Sequence, residues 1–461
     1  MGKLCLAIAI CLAAVSTSSA SGAEATRTKI EKYLQPYVST HNFAGTVLIA
    51  RGKRIVFEKS YGYSDIAGHV PNAPDTRFHI ASLSMQFTAA AAMRLVEQGK
   101  LGLDTRVSDI VAGIPNGDTI TIRELLAETS GLPDVNDQAD YDDLLQHHQT
   151  AESLVQRIRG LQPASAPGGM SKREEHSAYN LLALIVEKQT GLSFREVVKR
   201  EVFDRLDMKR SGIDDDGRSN TGAAIGYEPT GVFDLEPAET INWSAKTGNA
   251  SAYATAGDEF KWLNGFFGGR LLGTTARETM LDYSAARVGY GWFKNVSKRF
   301  NTPVYYMNGR AAGFASFVMY MPSDELSIVV LSNIYTSVAT TIGLDLAALV
   351  EGKPYEALEP QSGPPDVSSF RDMALKFQFG PDFYRANAVL TARVADGELF
   401  LDWPTGSPSP LIPVAKDRYI DRTYWEPVEF HRRADGHVSD LMYDRFDGPL
   451  ASPAAAKPSS N

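Results

Sequence analysis

Two kinds of hydrophobic pattern alternate along the first three quarters of the chain. Ile30 to Tyr37 repeats its apolar side chains at helical spacing. Gly45-Thr46-Val47-Leu48-Ile49-Ala50 and Arg54-Ile55-Val56-Phe57-Glu58 are rich in strand-forming residues. The turn Arg51-Gly52-Lys53 between them predicts a hairpin. Ser82 to Gln98 predicts a helix, with Ser82 as its N-cap, strong formers at Ala89 to Ala92 and Gly99 as its stop. A turn-rich, partly helical stretch follows from Leu101 to about Ser211. Phe314 to Tyr320 and Leu326 to Leu331 then predict paired strands joined by Pro322-Ser323-Asp324-Glu325.

The pattern changes after Val350. Glu351-Gly352-Lys353-Pro354 and Pro360-Gln361-Ser362-Gly363-Pro364-Pro365 have linker composition. Beyond them, Val389 to Val394, Glu398 to Asp402, Leu411 to Val414, Val428 to His431 and Val438 to Tyr443 read as strands separated by turns such as Ala395-Asp396-Gly397. The expected organisation is a leader over 1–23, a mixed α/β domain over 24–350 and a linker over 351–367. A small all-β domain over 368–450 and a disordered tail over 451–461 complete it. The leader has a basic Lys3, the apolar run Leu4 to Val15 and small residues up to Ala20 and Ala23. That is the form of a cleavable secretory signal, so the expected product is secreted or periplasmic.

Composition adds exclusions. The chain has 461 residues, 22% of them charged, with a net charge of -9 and no long basic run. Nucleic acid is therefore an unsuited partner, and the acidity is read as solubility alone. Both cysteines, Cys5 and Cys11, fall in the leader, which leaves no disulfide, thiolate nucleophile or cysteine metal site in the rest. No spacing matches a metal site. His147-His148 beside Asp142-Asp143 reads as a polar helix end, and nothing points to a nucleotide, flavin or other cofactor.

A series of landmarks carries a resemblance. They include Phe43-Ala44-Gly45 with Tyr61-Gly62-Tyr63, Thr76-Arg77-Phe78 before Ser82, Thr121-Ile122-Arg123-Glu124-Leu125-Leu126 with Thr129-Ser130-Gly131-Leu132-Pro133, and Leu181-Leu182 with Thr190-Gly191. Tyr253-Ala254-Thr255-Ala256-Gly257-Asp258 and Gly313-Phe314-Ala315-Ser316 complete them. In this order they resemble the class C β-lactamase-like serine hydrolases, which include D,D-peptidases, esterases and D-amino-acid amidases. The resemblance implies the β-lactamase/transpeptidase-like fold, an α/β domain with an antiparallel sheet flanked by helices plus a helical lobe, with the site between them.

The chemistry that the resemblance implies is damaged. Ser82 holds the nucleophile position, but Met85 stands where the family has the lysine of Ser-x-x-Lys, one helical turn on. Methionine has no titratable group, and losing a general base costs about 10²–10⁴-fold in rate. The family's Tyr-x-Asn, counted back from Tyr179-Asn180-Leu181, falls on Glu174 and His176. Counted forward from Pro167-Gly168, it falls on Arg173 and Glu175. The family's Lys-Thr-Gly or His-x-Gly falls on Met307-Asn308-Gly309, with Arg310 next as a backbone candidate for the oxyanion hole beside Ser82. A literal Lys246-Thr247-Gly248 lies too far upstream to be that strand and is read as coincidence.

Three readings follow. One is an impaired or inactive homologue, a binding or regulatory pseudoenzyme of the cell envelope holding a small-molecule, peptide or cell-wall-type ligand. Another is an active esterase, amidase or D-peptidase in which Ser82 uses a non-standard base such as His176, oriented by Glu174 or Glu175. The third is a scaffold acting mainly through the C-terminal β domain.

Overall fold

Strict alternation in the central strands organises the first domain. The computed structural model describes residues 24–169, 174–215, 222–284, 286, 288–295, 298–360, 370, 372–406 and 408–451. The expected leader, residues 361–367 of the expected linker, Arg173 and nearly all of the expected tail lie outside them. The strands β1 (Gly45–Arg51), β2 (Arg54–Tyr61), β3 (Phe293–Asn295), β4 (Val304–Ala311), β5 (Phe314–Met321) and β6 (Leu326–Ser332) form one antiparallel sheet. Its order is β3-β4-β5-β6-β1-β2. The helices that position the site are α1 (residues 24–39), α2 (Ser84–Glu97), α3 (His176–Thr190), α4 (Ala256–Phe267) and α5 (Ala339–Val350).

Val47, Ile49, Ile328 and Val330 pack with α1 and α5 on one face. Leu48, Ala50, Val329 and Leu331 pack with α2, α3 and α4 on the other. Period-two alternation sends neighbours to opposite faces, so β6, buried at every residue, serves two cores at once. This matches the expected α/β architecture, a sheet flanked by helices with a largely helical segment between β2 and β3.

One local expectation fails. Ser82 is not the N-cap of its helix, because Ala81–Leu83 form a 3-10 turn and α2 begins at Ser84 with no side-chain cap. The hydroxyl of Ser84 instead donates to the Ala81 carbonyl at 2.7 Å, leaving that of Ser82 for another partner. Gly99 does follow the helix in the left-handed region (φ 67°), where glycine carries no Cβ penalty.

The C-terminal segment forms eight strands: β7 (Lys376–Gln378), β8 (Val389–Ala395), β9 (Glu398–Asp402), β10 (Ser409–Ala415), β11 (Arg418–Asp421), β12 (Pro427–Arg432), β13 (Val438–Tyr443) and β14 (Phe446–Pro449). They pair in chain order. A bridge from Phe377 to Leu450 joins the last strand's end to the first, which closes the sheet into an up-and-down barrel. Phe377, Leu390, Leu401, Leu411, Phe430 and Leu441 fill its interior.

The loop after β11 pins the barrel to the first domain. The buried Arg422 guanidinium donates to the backbone carbonyls of His41, Gly231 and Asp234. Trp425 stacks on Tyr37 of α1 at 4.4 Å. Among the described residues, no helix is long and apolar enough to cross a membrane.

Candidate active site

Ser82 sits in a turn under strain. The preceding Ala81 has φ 50°, a left-handed conformation that costs a non-glycine residue about 1–2 kcal/mol. The surroundings hold it there. Ile80 donates its N–H to the Ala252 carbonyl at 3.1 Å, and its carbonyl accepts from Ser316 Oγ at 2.6 Å. Such strain persists only where neighbouring structure over-determines it, and it concentrates at functional sites. Ser82 is left 9% exposed.

The Ser82 hydroxyl donates to Glu174 Oε2 at 3.4 Å. The same oxygen lies 3.2 Å from His176 Nε2, and His176 Nδ1 lies 2.8 Å from Asp134 Oδ2. Ser82, Glu174, His176 and Asp134 therefore form one chain of contacts. Burial works against a charged His176, but its hydrogen bonds to Asp134 and Glu174 prevail and raise its pKa to about 9. The imidazolium in turn helps hold Asp134 below its usual range despite burial.

The segment carrying Glu174 is fastened on both sides. The Glu175 N–H donates to Glu128 Oε2 at 3.1 Å. The Glu175 carboxylate accepts from the Ser130 N–H, the Ser130 hydroxyl and the Gly131 N–H at 2.6–3.1 Å. Glu128 also adopts a left-handed backbone (φ 55°). Its own burial, reinforced by the charge of Glu174, pushes its pKa up to about 7.

The other sequence-selected residues separate into two sets. Met85 is fully buried on α2, and Met307 on β4 is 1% exposed in the same core, so both are packing residues. Gly309 lies beside the nucleophile turn, where an added Cβ would meet Ser82 N at 2.7 Å. Arg310 pairs in register with Ala315 and leans its guanidinium over Tyr335 at 5.4 Å. Lys246-Thr247-Gly248 is off the sheet, at the end of a 3-10 turn, with Lys246 Nζ donating to Tyr141 Oη at 2.6 Å. Burial lowers the Lys246 pKa to about 8.

The beta-lactamase family model matches residues 30–351. The chain belongs to the beta-lactamase family. It is 27% identical to PbpX of Bacillus subtilis strain 168 over 308 residues, covering 66% of this chain and 73% of that protein. It also resembles the crystal structure of a penicillin-binding protein from Bacillus halodurans, with 26% identity and TM-score 0.60 over 70% of this chain and 98% of that one. The octameric penicillin-binding protein homologue from Pyrococcus abyssi, 21% identical, shares the fold over 91% of this chain and 99% of its own, with TM-score 0.65.

In this beta-lactamase-family chain the expected roles of the central residues are rearranged. The active-hydrolase reading has His176 facing Ser82 as the base, with Glu174 or Glu175 behind it. Instead Glu174 touches the serine, His176 stands behind Glu174, and Asp134 orients His176. Glu175 faces the Ser130 turn. Asp134 escaped the sequence reading because nothing in its spacing ties it to His176. Glu128 acts structurally here, accepting the Glu175 N–H.

Proposed function

We propose that this protein is an acyl-serine hydrolase that uses Glu174 in place of the family's lysine and tyrosine. The supporting observation is the shared Glu174 oxygen, 3.4 Å from Ser82 Oγ and 3.2 Å from His176 Nε2. In the first step Ser82 Oγ attacks an ester or amide carbonyl, and its proton passes to the Glu174 carboxylate. The protonated Glu174 then returns that proton to the departing alcohol or amine, leaving an acyl-serine. Water releases the acid by the same transfers in reverse order. A protonated His176 hydrogen-bonds the carboxylate and aims it, as a third group does in a triad. The Ser82 N–H, inside the 3-10 turn Ala81–Leu83, is the oxyanion donor in this reading.

The substrate class follows from charge. Met307 supplies no cation for a ligand carboxylate, and Glu174 repels one. Neutral or cationic esters and amides are the fitting acyl donors, and turnover by the family's usual route is impaired. A silent, ligand-holding site is the second reading, favoured by the burial of both Met85 and Met307.

Intact-mass kinetics with an uncharged fluorophosphonate separate the two. A single adduct lost in Ser82→Ala and slowed about 10²–10⁴-fold in Glu174→Gln is the expected result. No adduct on folded protein would leave the silent-pocket reading standing, and labelling unchanged in Glu174→Gln would remove Glu174 from the chemistry.

A further inference from the structure

The barrel has a second concave site, built from residues that take no part in the Ser82 chemistry. In an up-and-down barrel alternate strands run the same way, so the loops after β7, β9 and β11 and the end of β13 gather at one mouth. They bring Tyr384, Trp403, Tyr424 and Tyr443 around a cavity of about 340 Å³. That is the small-ligand range, and barrel mouths are a preferred place for such sites. The rings stand as walls: Trp403 meets Tyr443 at 5.3 Å and 89°, and Tyr424 at 5.0 Å and 65°.

These walls are fixed from behind by one buried carboxylate. Asp421 Oδ2 accepts from Trp403 Nε1 at 3.4 Å and from Tyr443 Oη at 3.1 Å. Its Oδ1 accepts from the Tyr424 N–H at 3.1 Å and from Ser409 Oγ at 2.5 Å. Tyr384 is held separately, its hydroxyl donating to Asp444 at 2.7 Å. Yet Tyr384 and Tyr424 remain 55% and 45% exposed. Trp403 and Tyr443, locked in place by a buried carboxylate beside the exposed rings of Tyr384 and Tyr424, form a preorganised surface, which core packing alone does not require.

The polar groups of the cavity define the ligand. Glu426 is half-buried, and its carboxyl makes no hydrogen bond among the described residues. Burial, with the charges of Asp444 and Asp421, pushes its pKa up to about 7. Arg385 and Thr405 offer donors on the same cavity. An aromatic box for an ammonium ion needs uncompensated negative charge. Here Arg385 lines the cavity and Arg445 lies over the Tyr384 ring at 5.9 Å. Aromatic faces with both donors and acceptors suit an uncharged ring that has an apolar face and several hydroxyls. We propose that this barrel mouth is a binding site for a pyranose sugar unit. Tyr424 also lines the neighbouring cleft over Gly309 and Arg310, so a sugar held here sits beside the strand that edges Ser82.

Calorimetric titration of the full chain with chitotriose, cellotriose and maltotriose tests this. At least one trisaccharide should bind saturably and bind about tenfold more weakly or worse in Trp403→Ala and in Glu426→Gln, the scale of a lost aromatic or hydrogen-bonding contact. Tyr384→Ala, at an exposed position, should weaken it as well without lowering the melting temperature. That keeps the test valid if Trp403→Ala unfolds the barrel. No binding of any trisaccharide up to about 10 mM, a limit set by the weakness of single-sugar contacts, would overturn the proposal. So would affinity unchanged in Tyr384→Ala and Glu426→Gln, or saturable binding of tetramethylammonium alone.

Discussion

Gly309 approaches Ser82 backbone to backbone: a Cβ on Gly309 would stand 2.7 Å from the Ser82 amide nitrogen and equally close to the Ile80 carbonyl oxygen. Neither atom is the end of a flexible side chain, so Gly309→Ala must move β4 or the nucleophile turn. Fluorophosphonate labelling of Ser82 should fall about 10²–10³-fold, the worth of one displaced oxyanion donor. Far-ultraviolet circular dichroism should be unchanged. Labelling at the original rate would show that the oxyanion position does not depend on this approach.

His176 ties stability to alkaline pH. Its folded pKa of about 9 exceeds the free value of about 6.5. A raised histidine pKa stabilises fully below the unfolded value, and that contribution is lost as pH rises through about 9. Melting temperatures measured from pH 6 to 10 should therefore decline across the upper part of the range. Asp134→Asn removes the stronger partner and should flatten the decline.

Glu259 on α4 produces a slope at lower pH. Its carboxyl is fully buried with no hydrogen-bond partner among the described residues, and burial, followed by the charge of Asp258, raises its pKa to about 8. The unfolded chain ionises this group near 4.5 while the folded chain keeps it neutral. Stability is therefore lost between about pH 4.5 and 8. Glu259→Gln should raise the melting temperature at pH 8 more than at pH 5. An equal change at both values would mean that the carboxyl is already ionised when folded.

Arg422 is one of the contacts that fasten the barrel to the rest of the chain. Arg422→Met keeps length but leaves the carbonyls of His41, Gly231 and Asp234 without their donor. A loss of about 1–3 kcal/mol is expected, the scale for leaving a buried hydrogen-bond acceptor unpaired. Denaturant unfolding followed by Trp fluorescence should separate into two transitions. A single transition at the original midpoint would show that Trp425 on Tyr37 suffices.

Much of the fold was legible because burial on both faces leaves a plain signal. The run Leu326 to Leu331 is apolar at nearly every position and became the strand that serves both cores. The strands Lys376–Gln378, Arg418–Asp421 and Phe446–Pro449 were missed, being short and carrying charged, Gly or Pro residues that mimic turns. At the site, counting back from Tyr179-Asn180-Leu181 reached Glu174 and His176, which the fold brings to Ser82. The order of contact was not legible. It depends on Glu128 and the Ser130 turn fastening Glu175, and on Asp134 lying 42 positions before His176. Sequence spacing carries no information about such pairings.

The bridge from Phe377 to Leu450 also bears on self-assembly. The bridge from the barrel's first strand to the segment after its last covers, among the described residues, the border on which another strand would add. The six-stranded sheet does have two borders, β2 and β3. β2 carries Arg54 and Lys59 beside the exposed Ile55 and Val56. Any filament or dimer built by extending a sheet must therefore begin on the hydrolase-like half, and charge on β2 is the barrier that it would have to overcome.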